Sequence, residues 1–182
     1  IRTDAESAAG LRVDLAMFGL IPSWSKDRSI GRRTYNARTE TVAEKPSYRT
    51  AWRQRQFCLV PVERFFEPCW ETGKAVPWSI HRQDGEPFTV AAIWDRWTER
   101  ATGEIVVSFS MLTINADGHP IMGRFHRPGD ERRSLVVVPP SRWTDWLSAT
   151  ADTVRAMLAE MPVAEFTSES VMGLSSTPAQ AS

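Results

Sequence analysis

Apolar positions fall in short runs along the chain, and only some of them alternate. LAMFGLI (15–21) reads as a short strand stopped by Pro22. The next stretch, SWSKDRSIGRRTYNARTE (23–40), is rich in Gly, Ser and Arg and reads as a polar loop. KPSYRTAWRQRQ (45–56) predicts a short helix starting at Pro46, with Tyr48 and Trp52 on one face. QFCLVPV (56–62) and RFFEPCW (64–70) read as strands separated by a kink. VPWSIH and FTVAAIW flank QDGEP, an Asp-Gly turn signal, and predict a hairpin. IVVSFSMLTIN (105–115) has strand character of period two, and SLVVVP (134–139) is a further strand. SRWTDWLS and ADTVRAMLAE read as helices, each with Ser, Thr or Asp near its start. LSSTPAQAS, 174–182, reads as a loose tail. The pattern predicts one α+β domain over 1–173, with a curled, barrel-like, mostly antiparallel sheet flanked by short helices. No βαβ alternation supports a Rossmann fold.

Composition narrows the class. With 182 residues, 42% hydrophobic and 24% charged, the chain reads as an ordinary soluble globular protein, expected to be a monomer. No apolar run approaches a membrane span and no signal-peptide pattern opens it, so no membrane partner is expected. Two cysteines, Cys58 and Cys69, make neither a disulfide framework nor a metal quartet, which points to a reducing cytoplasm and to no metal. The chain starts at Ile1 without an initiator Met, and the expectation is that its natural N-terminus lies upstream.

The zero net charge conceals an excess of Arg: 19 of the 22 basic residues. Arg suits phosphates and planar groups, although a GC-rich genome gives the same bias. Charge is also segregated. Residues 1–55 carry eleven Lys/Arg against six Asp/Glu, and residues 134–182 two against five. One side of the protein is therefore expected to face anions, more weakly than a typical nucleic-acid stripe.

No Walker loop, GxSxG elbow, HExxH or CxxC occurs, and no cofactor is expected. His81 and His119 read as structural. His126, in MGRFHRPGDERR, sits among arginines that disfavour its cation; it reads as a neutral base or proton shuttle, or else as a solvated loop histidine. Glu67 in VERFFEPCW shares a strand face with Phe65. A carboxylate there is either raised in pKa for acid–base work or at an edge facing water. Cys69, two residues on, would be deactivated by the like charge of Glu67, and Cys58 reads as a small core residue. Trp94, Trp97, Trp143 and Trp146 read as core or half-core. Trp24, in the basic loop, reads as an exposed indole able to stack on a base or sugar. Asn36, Arg38 and Glu40 alternate along one side of the chain, as docking groups would.

FGLIPSWSKD, YNARTET, CLVPVERFFEPCW and the His126 loop followed by VVVPP occur in an order that resembles the SRAP family, the SOS response-associated peptidases, over about residues 15–150. The resemblance implies a β-rich α+β domain that binds single-stranded DNA in a basic groove, in the bacterial cytoplasm near the nucleoid. It also implies a DNA-damage function. An N-terminal Cys, exposed by self-cleavage, closes a thiazolidine with the aldehyde of an abasic site, giving a DNA–protein crosslink. Carried over by position, Asn36, Glu67 and His126 are catalytic, Arg38 binds phosphate and Trp24 contacts DNA. HRPGDERR is longer than the family's usual loop, which leaves Arg127 and Arg132 as alternatives for a further phosphate contact. Glu40 is expected to be structural. The Cys is not among these residues. The alternatives are a non-covalent single-stranded DNA-binding module and a thiol peptidase acting on other proteins.

Overall fold

The computed structural model describes residues 1–7 and 10–171, and the predicted tail at 174–182 lies outside them. In chain order the strands are β1 (Arg2–Thr3), β2 (Leu11–Arg12), β3 (Met17–Phe18), β4 (Asn36–Arg38), β5 (Phe57–Val62) and β6 (Arg64–Cys69). They continue with β7 (Val76–Arg82), β8 (Phe88–Thr98), β9 (Ile105–Asn115), β10 (Arg133–Leu135) and β11 (Phe166–Ser170). The α-helices are single short turns: α1 (Arg49–Arg53), α2 (Trp143–Leu147) and α3 (Ala151–Arg155). The residues form two compact units. One comprises Ile1–Pro61, Thr89–Ile114 and Leu135–Glu160; the other comprises Val62–Phe88, Asn115–Ser134 and the chain from Met161 onward.

The first unit is built on a sheet of order β10-β9-β8-β5-β1-β2, mostly antiparallel and curled as half a barrel; β3 and β4 both run parallel to β9. From Thr89 to Ile93 every residue of β8 is buried, so its apolar run is unbroken where a one-sided strand would alternate. Three aromatics fill the core: Phe57 lies 5.2 Å from Trp146 and 5.4 Å from Trp52 between ring centroids. Trp146 is wholly buried, and its indole donates to the Cys58 carbonyl at 2.9 Å. Trp97 is buried likewise and Trp94 half-buried, as expected. Trp143 lies nearer the surface than a core reading predicts, with its N–H donated to Thr89 Oγ1 at 2.7 Å.

The strand predicted at 15–21 shortens to Met17–Phe18. Gly19 takes φ 103°, and a Cβ there would collide with the carbonyl oxygen of Gly31, so two backbones meet where only glycine fits. The predicted loop 23–40 contains a 3-10 turn, Arg28–Arg33, and then β4. The helix after it starts at Arg49 instead of Pro46. Tyr48 nevertheless packs against the core cluster that contains Trp52. Thr150 caps α3 through a reciprocal bond pair with Thr153.

The second unit carries a sheet of order β11-β7-β6. The Asp-Gly turn forms, with Gly85 at φ 76° donating to the Arg82 carbonyl. The hairpin does not. β7 pairs with β6 and β11, and β8 belongs to the other sheet. A turn signal fixes a local reversal, whereas strand pairing depends on which apolar faces find partners. Phe88 packs on Phe166 at 5.0 Å and on Phe65 at 6.2 Å. His119 is structural, as expected. It is buried, with Nδ1 accepting the amides of Ile121 and Met122 at 3.2 and 3.1 Å and Nε2 2.7 Å from the Met161 carbonyl.

Candidate active site and nucleic-acid groove

β4 is positioned by β9 in the register Asn36↔Met111, Ala37↔Leu112, Arg38↔Thr113. Ala37 is fully buried while Asn36 and Arg38 are exposed, so the two polar side chains leave one face of the strand. They line an open groove of about 510 Å³. Its other wall is the segment Lys45–Tyr48, where the Tyr48 hydroxyl donates to the Asn36 carbonyl at 3.1 Å. Burial pushes the Tyr48 phenol up, so it stays a donor. Arg33, Arg38 and Lys45 all line the groove and none of the lining residues is acidic, which gives it a positive lining.

The segment leading into this groove is pinned by polar groups of the sheet. Ser108 Oγ accepts the Ile21 amide at 2.8 Å, Asp95 accepts that of Ser23 at 3.1 Å, and the buried Trp97 indole donates to the Ser25 carbonyl at 2.8 Å. Trp24 is left outside, 52% exposed, with its N–H donated to the Pro46 carbonyl at 3.3 Å. Since Pro46 is a wall residue, Trp24 stands at the rim of the groove. Arg33, Lys45 and Tyr48 were not singled out as binding residues from the sequence. The run KPSY held the signal, because a helix that starts at Arg49 leaves Lys45 and Tyr48 in the turn before it.

Glu67, His126, Arg127 and Arg132 belong to the second unit. Along β6, Phe65, Glu67 and Cys69 turn inward and Arg64, Phe66 and Pro68 turn outward. Glu67 is therefore a carboxyl on a mostly apolar face, and burial alone pushes it up to about 7. His126 is brought alongside by backbone contacts: its N–H bonds to the Pro68 carbonyl at 3.3 Å, and Phe125 bridges to Cys69. Its φ of 73° is a left-handed conformation rare outside glycine, the kind of strain kept at functional positions. Its Nδ1 is buried with no hydrogen-bond partner among the described residues. Burial holds the imidazole pKa below the usual value, with Arg132 and Arg133 adding to the effect and a backbone hydrogen bond at Phe125 and the charge of Asp130 opposing it. Environment thus favours a proton on Glu67, against the ordinary state of a carboxyl at neutral pH, and reinforces the neutral form of His126.

The two candidate arginines differ. Arg132 is occupied within its loop, donating to the Gly123 carbonyl at 2.6 Å and lying 3.9 Å from Asp117. Arg127 is exposed, its guanidinium 5.9 Å from the Trp70 ring centroid. Glu40 is exposed in the turn after β4. Both cysteines are buried, at 6% and 3% exposure, and burial pushes the Cys58 thiol up to about 12. Neither is an available nucleophile. Among the described residues no group of three or more His, Cys, Asp or Glu is arranged to hold a metal ion, and no helix is long and apolar enough to cross a membrane.

The sequence profile of the family described as SOS response associated peptidase (SRAP) matches residues 1–174. Curated relatives include the "Abasic site processing protein YoqW" of Bacillus subtilis (strain 168), 27% identical over 151 residues that make up 81% of this chain and 62% of the relative. Another is "Abasic site processing protein YoaM" of the same organism, 24% identical over 92% of this chain and 71% of the relative. "Abasic site processing protein HMCES" of Gallus gallus is 25% identical over 64% of this chain and 40% of the relative. The chain thus spans 62% of the length of YoqW. Among solved structures, a protein from Bordetella bronchiseptica superposes with TM-score 0.80 at 36% identity, covering 86% of this chain and 75% of that one. A protein from Bacteroides thetaiotaomicron gives 0.72 at 26% identity, covering 85% and 67%.

Proposed function

The chain belongs to the SRAP family, and from that premise we propose that it processes abasic sites in single-stranded DNA by forming a covalent crosslink. The observation that carries this reading is Glu67, a carboxyl that still holds its proton near neutral pH on an otherwise apolar face, with the backbone of His126 bonded to the next residue. That pair suits the condensation of an amine with an aldehyde, which needs an acid and a base at one pH.

The α-amine of an N-terminal cysteine adds to the aldehyde carbon of the ring-opened sugar. Glu67 gives its proton to the departing hydroxyl, water leaves, and an imine forms. The thiol then adds across the C=N bond and its proton passes to nitrogen. The sum is aldehyde plus aminothiol to thiazolidine plus one water. Neutral His126 takes the proton that the attacking amine sheds, and Asn36 in the groove bonds the sugar through its side-chain amide. Arg38 grips a phosphate, Arg33 and Lys45 add to the field, Trp24 stacks on a base, and Arg127, free of the internal bonds that hold Arg132, is the second phosphate contact. The cysteine itself is not among the 182 residues with Ile1 at their head. Burial of Cys58 and Cys69 supports assigning the chemistry to a different thiol.

The test uses the full gene product, read from its initiator codon, and a single-stranded oligonucleotide with one abasic site. A heat-stable species with the summed mass of protein and DNA less one water is expected on a denaturing gel and by mass spectrometry. A product with cysteine after the initiator Met that yields no such species overturns the reading. The three cations of the groove favour one second reading, a non-covalent single-stranded DNA module. It predicts binding that falls steeply with salt and no adduct at all.

A further inference from the structure

A stacked triad of side chains borders the inward face of β6. Register places Glu67 directly across from Trp78 of β7. The Arg124 guanidinium lies over the Trp78 ring, 4.6 Å from its centroid, and the Phe125 ring is 6.2 Å from it. Glu71, just past the end of β6, holds Arg124 by a two-pronged fork, with Oε1 accepting from Nε at 2.9 Å and Oε2 from Nη2 at 3.0 Å. The fork fixes the guanidinium plane, so the face of Arg124 is presented to the indole.

Other charged groups on the neighbouring elements are accounted for elsewhere. Arg64, His81 and Glu169 occupy the opposite face of the sheet, with Glu169 4.0 Å from Arg64 and 3.9 Å from His81. Arg82 is bonded to Asp84 and Glu165, and Arg132 to the Gly123 carbonyl. Arg133 pairs with Glu131 at 2.6 Å, and Asp130 and exposed Arg127 lie beyond His126 on its loop. Arg124 is therefore the cation stationed over the cross-strand neighbour of Glu67. It is also two residues from His126, on the turn that leads into the strained backbone there.

We propose that Glu71, Arg124 and Trp78 form a positioning clamp, which fixes the His126 segment against β6 and holds the Arg124 charge on the indole, away from the Glu67 carboxyl. The clamp rests on the reading of Glu67 and His126 as the acid–base pair, and it adds three positioning residues to that pair. Glu67 is the half-buried carboxyl across the strand pair from the indole on which Arg124 rests, and an arginine released from Glu71 would turn to it. Glu67 would then stay ionised, and the proton needed for loss of water would no longer be there.

The clamp is tested on the full gene product in two arms. The first needs no DNA: the Glu67 carboxyl and the His126 imidazole are titrated by NMR in the parent, in Glu71→Gln, in Trp78→Leu and in the double variant Glu71→Gln with Arg124→Gln. Glu71→Gln and Trp78→Leu are expected to lower the Glu67 titration midpoint, and removal of the Arg124 charge in the double variant to restore it. Trp78→Phe, which keeps an aromatic face and the fold, is expected to resemble the parent. The second arm measures adduct formation: Glu71→Gln should slow the rate at saturating DNA about tenfold and leave the half-saturating DNA concentration unchanged. A Glu67 midpoint unshifted from the parent in both Glu71→Gln and Trp78→Leu, with a Glu71→Gln rate within about twofold of the parent, overturns the clamp. A parent that makes no adduct overturns the abasic-site reading instead, and the NMR arm then decides the clamp alone.

Discussion

The two units build their functional surfaces by opposite means. The first presents charge: Arg33, Arg38 and Lys45 line a wet, open groove, and polar bonds from Ser108 and Asp95 hold its approach in place. The second hides charge: Glu67 is pushed towards neutrality by burial, and His126 is depressed by burial with a strained backbone. Exposed cations attract a polyanion over a Debye length and cost the fold little. A desolvated carboxyl attracts nothing at range, and it destabilises the fold to make a proton available. Under this comparison the first unit should govern affinity and the second unit should govern rate.

Its sharpest test is Glu67→Gln. The rate of adduct formation in single-turnover gels is expected to fall by about 10²–10⁴-fold, with the dissociation constant for abasic single-stranded DNA unchanged. An equal loss in affinity would break the division of labour.

A second test reads stability in the absence of DNA. The Glu67 carboxyl ionises near its ordinary 4.5 in the unfolded chain and near 7 in the folded one, so the folded state binds the extra proton between those values. Its contribution is fully present below about pH 4.5 and is lost as pH rises through about 7, a change on the order of 3 kcal/mol. Denaturant titrations from pH 5 to 8 should show this decline in the parent and a flatter profile in Glu67→Gln. Parallel profiles would mean that Glu67 is solvated after all.

Smaller effects are expected in the groove. Trp24→Ala and Arg38→Ala should each weaken DNA binding by about 1–2 kcal/mol in fluorescence anisotropy, and Arg38→Ala alone should reduce the salt slope by about one. Neither should alter the adduct rate at saturating DNA, and a fall there would place these residues in the chemistry. The smallest effect is expected for Cys69→Ala. Its thiol is buried, so the adduct yield should match the parent, and loss of the adduct would make Cys69 the nucleophile.

Legibility differed between the two surfaces. Asn36 and Arg38 stood out because alternation is a property of extended backbone, and β4 preserves it, with Ala37 buried between them. Glu67 stood out as a carboxylate among apolar neighbours of a strand, and its inward placement follows from the same period of two. Lys45, Tyr48, Glu71, Arg124 and Trp78 did not stand out. Each is an ordinary residue in a turn or strand end, and its role depends on a partner far along the chain, such as Glu71 for Arg124. The failed hairpin has the same cause. QDGEP encodes a reversal that does occur, but nothing local in VPWSIH says that it pairs with RFFEPC.

The amino-acid order by itself determined the family, the strand-rich α+β class and which polar residues are out of place on apolar faces, because these depend on short-range periodicity and motif order. Tertiary structure alone decided that β4 runs parallel to β9, that burial carries Glu67 and His126 in opposite directions, and that Arg127 is exposed while Arg132 is spent on its own loop. Those outcomes depend on solvent exclusion and on partners brought from distant segments, quantities that exist only once the chain has closed on itself.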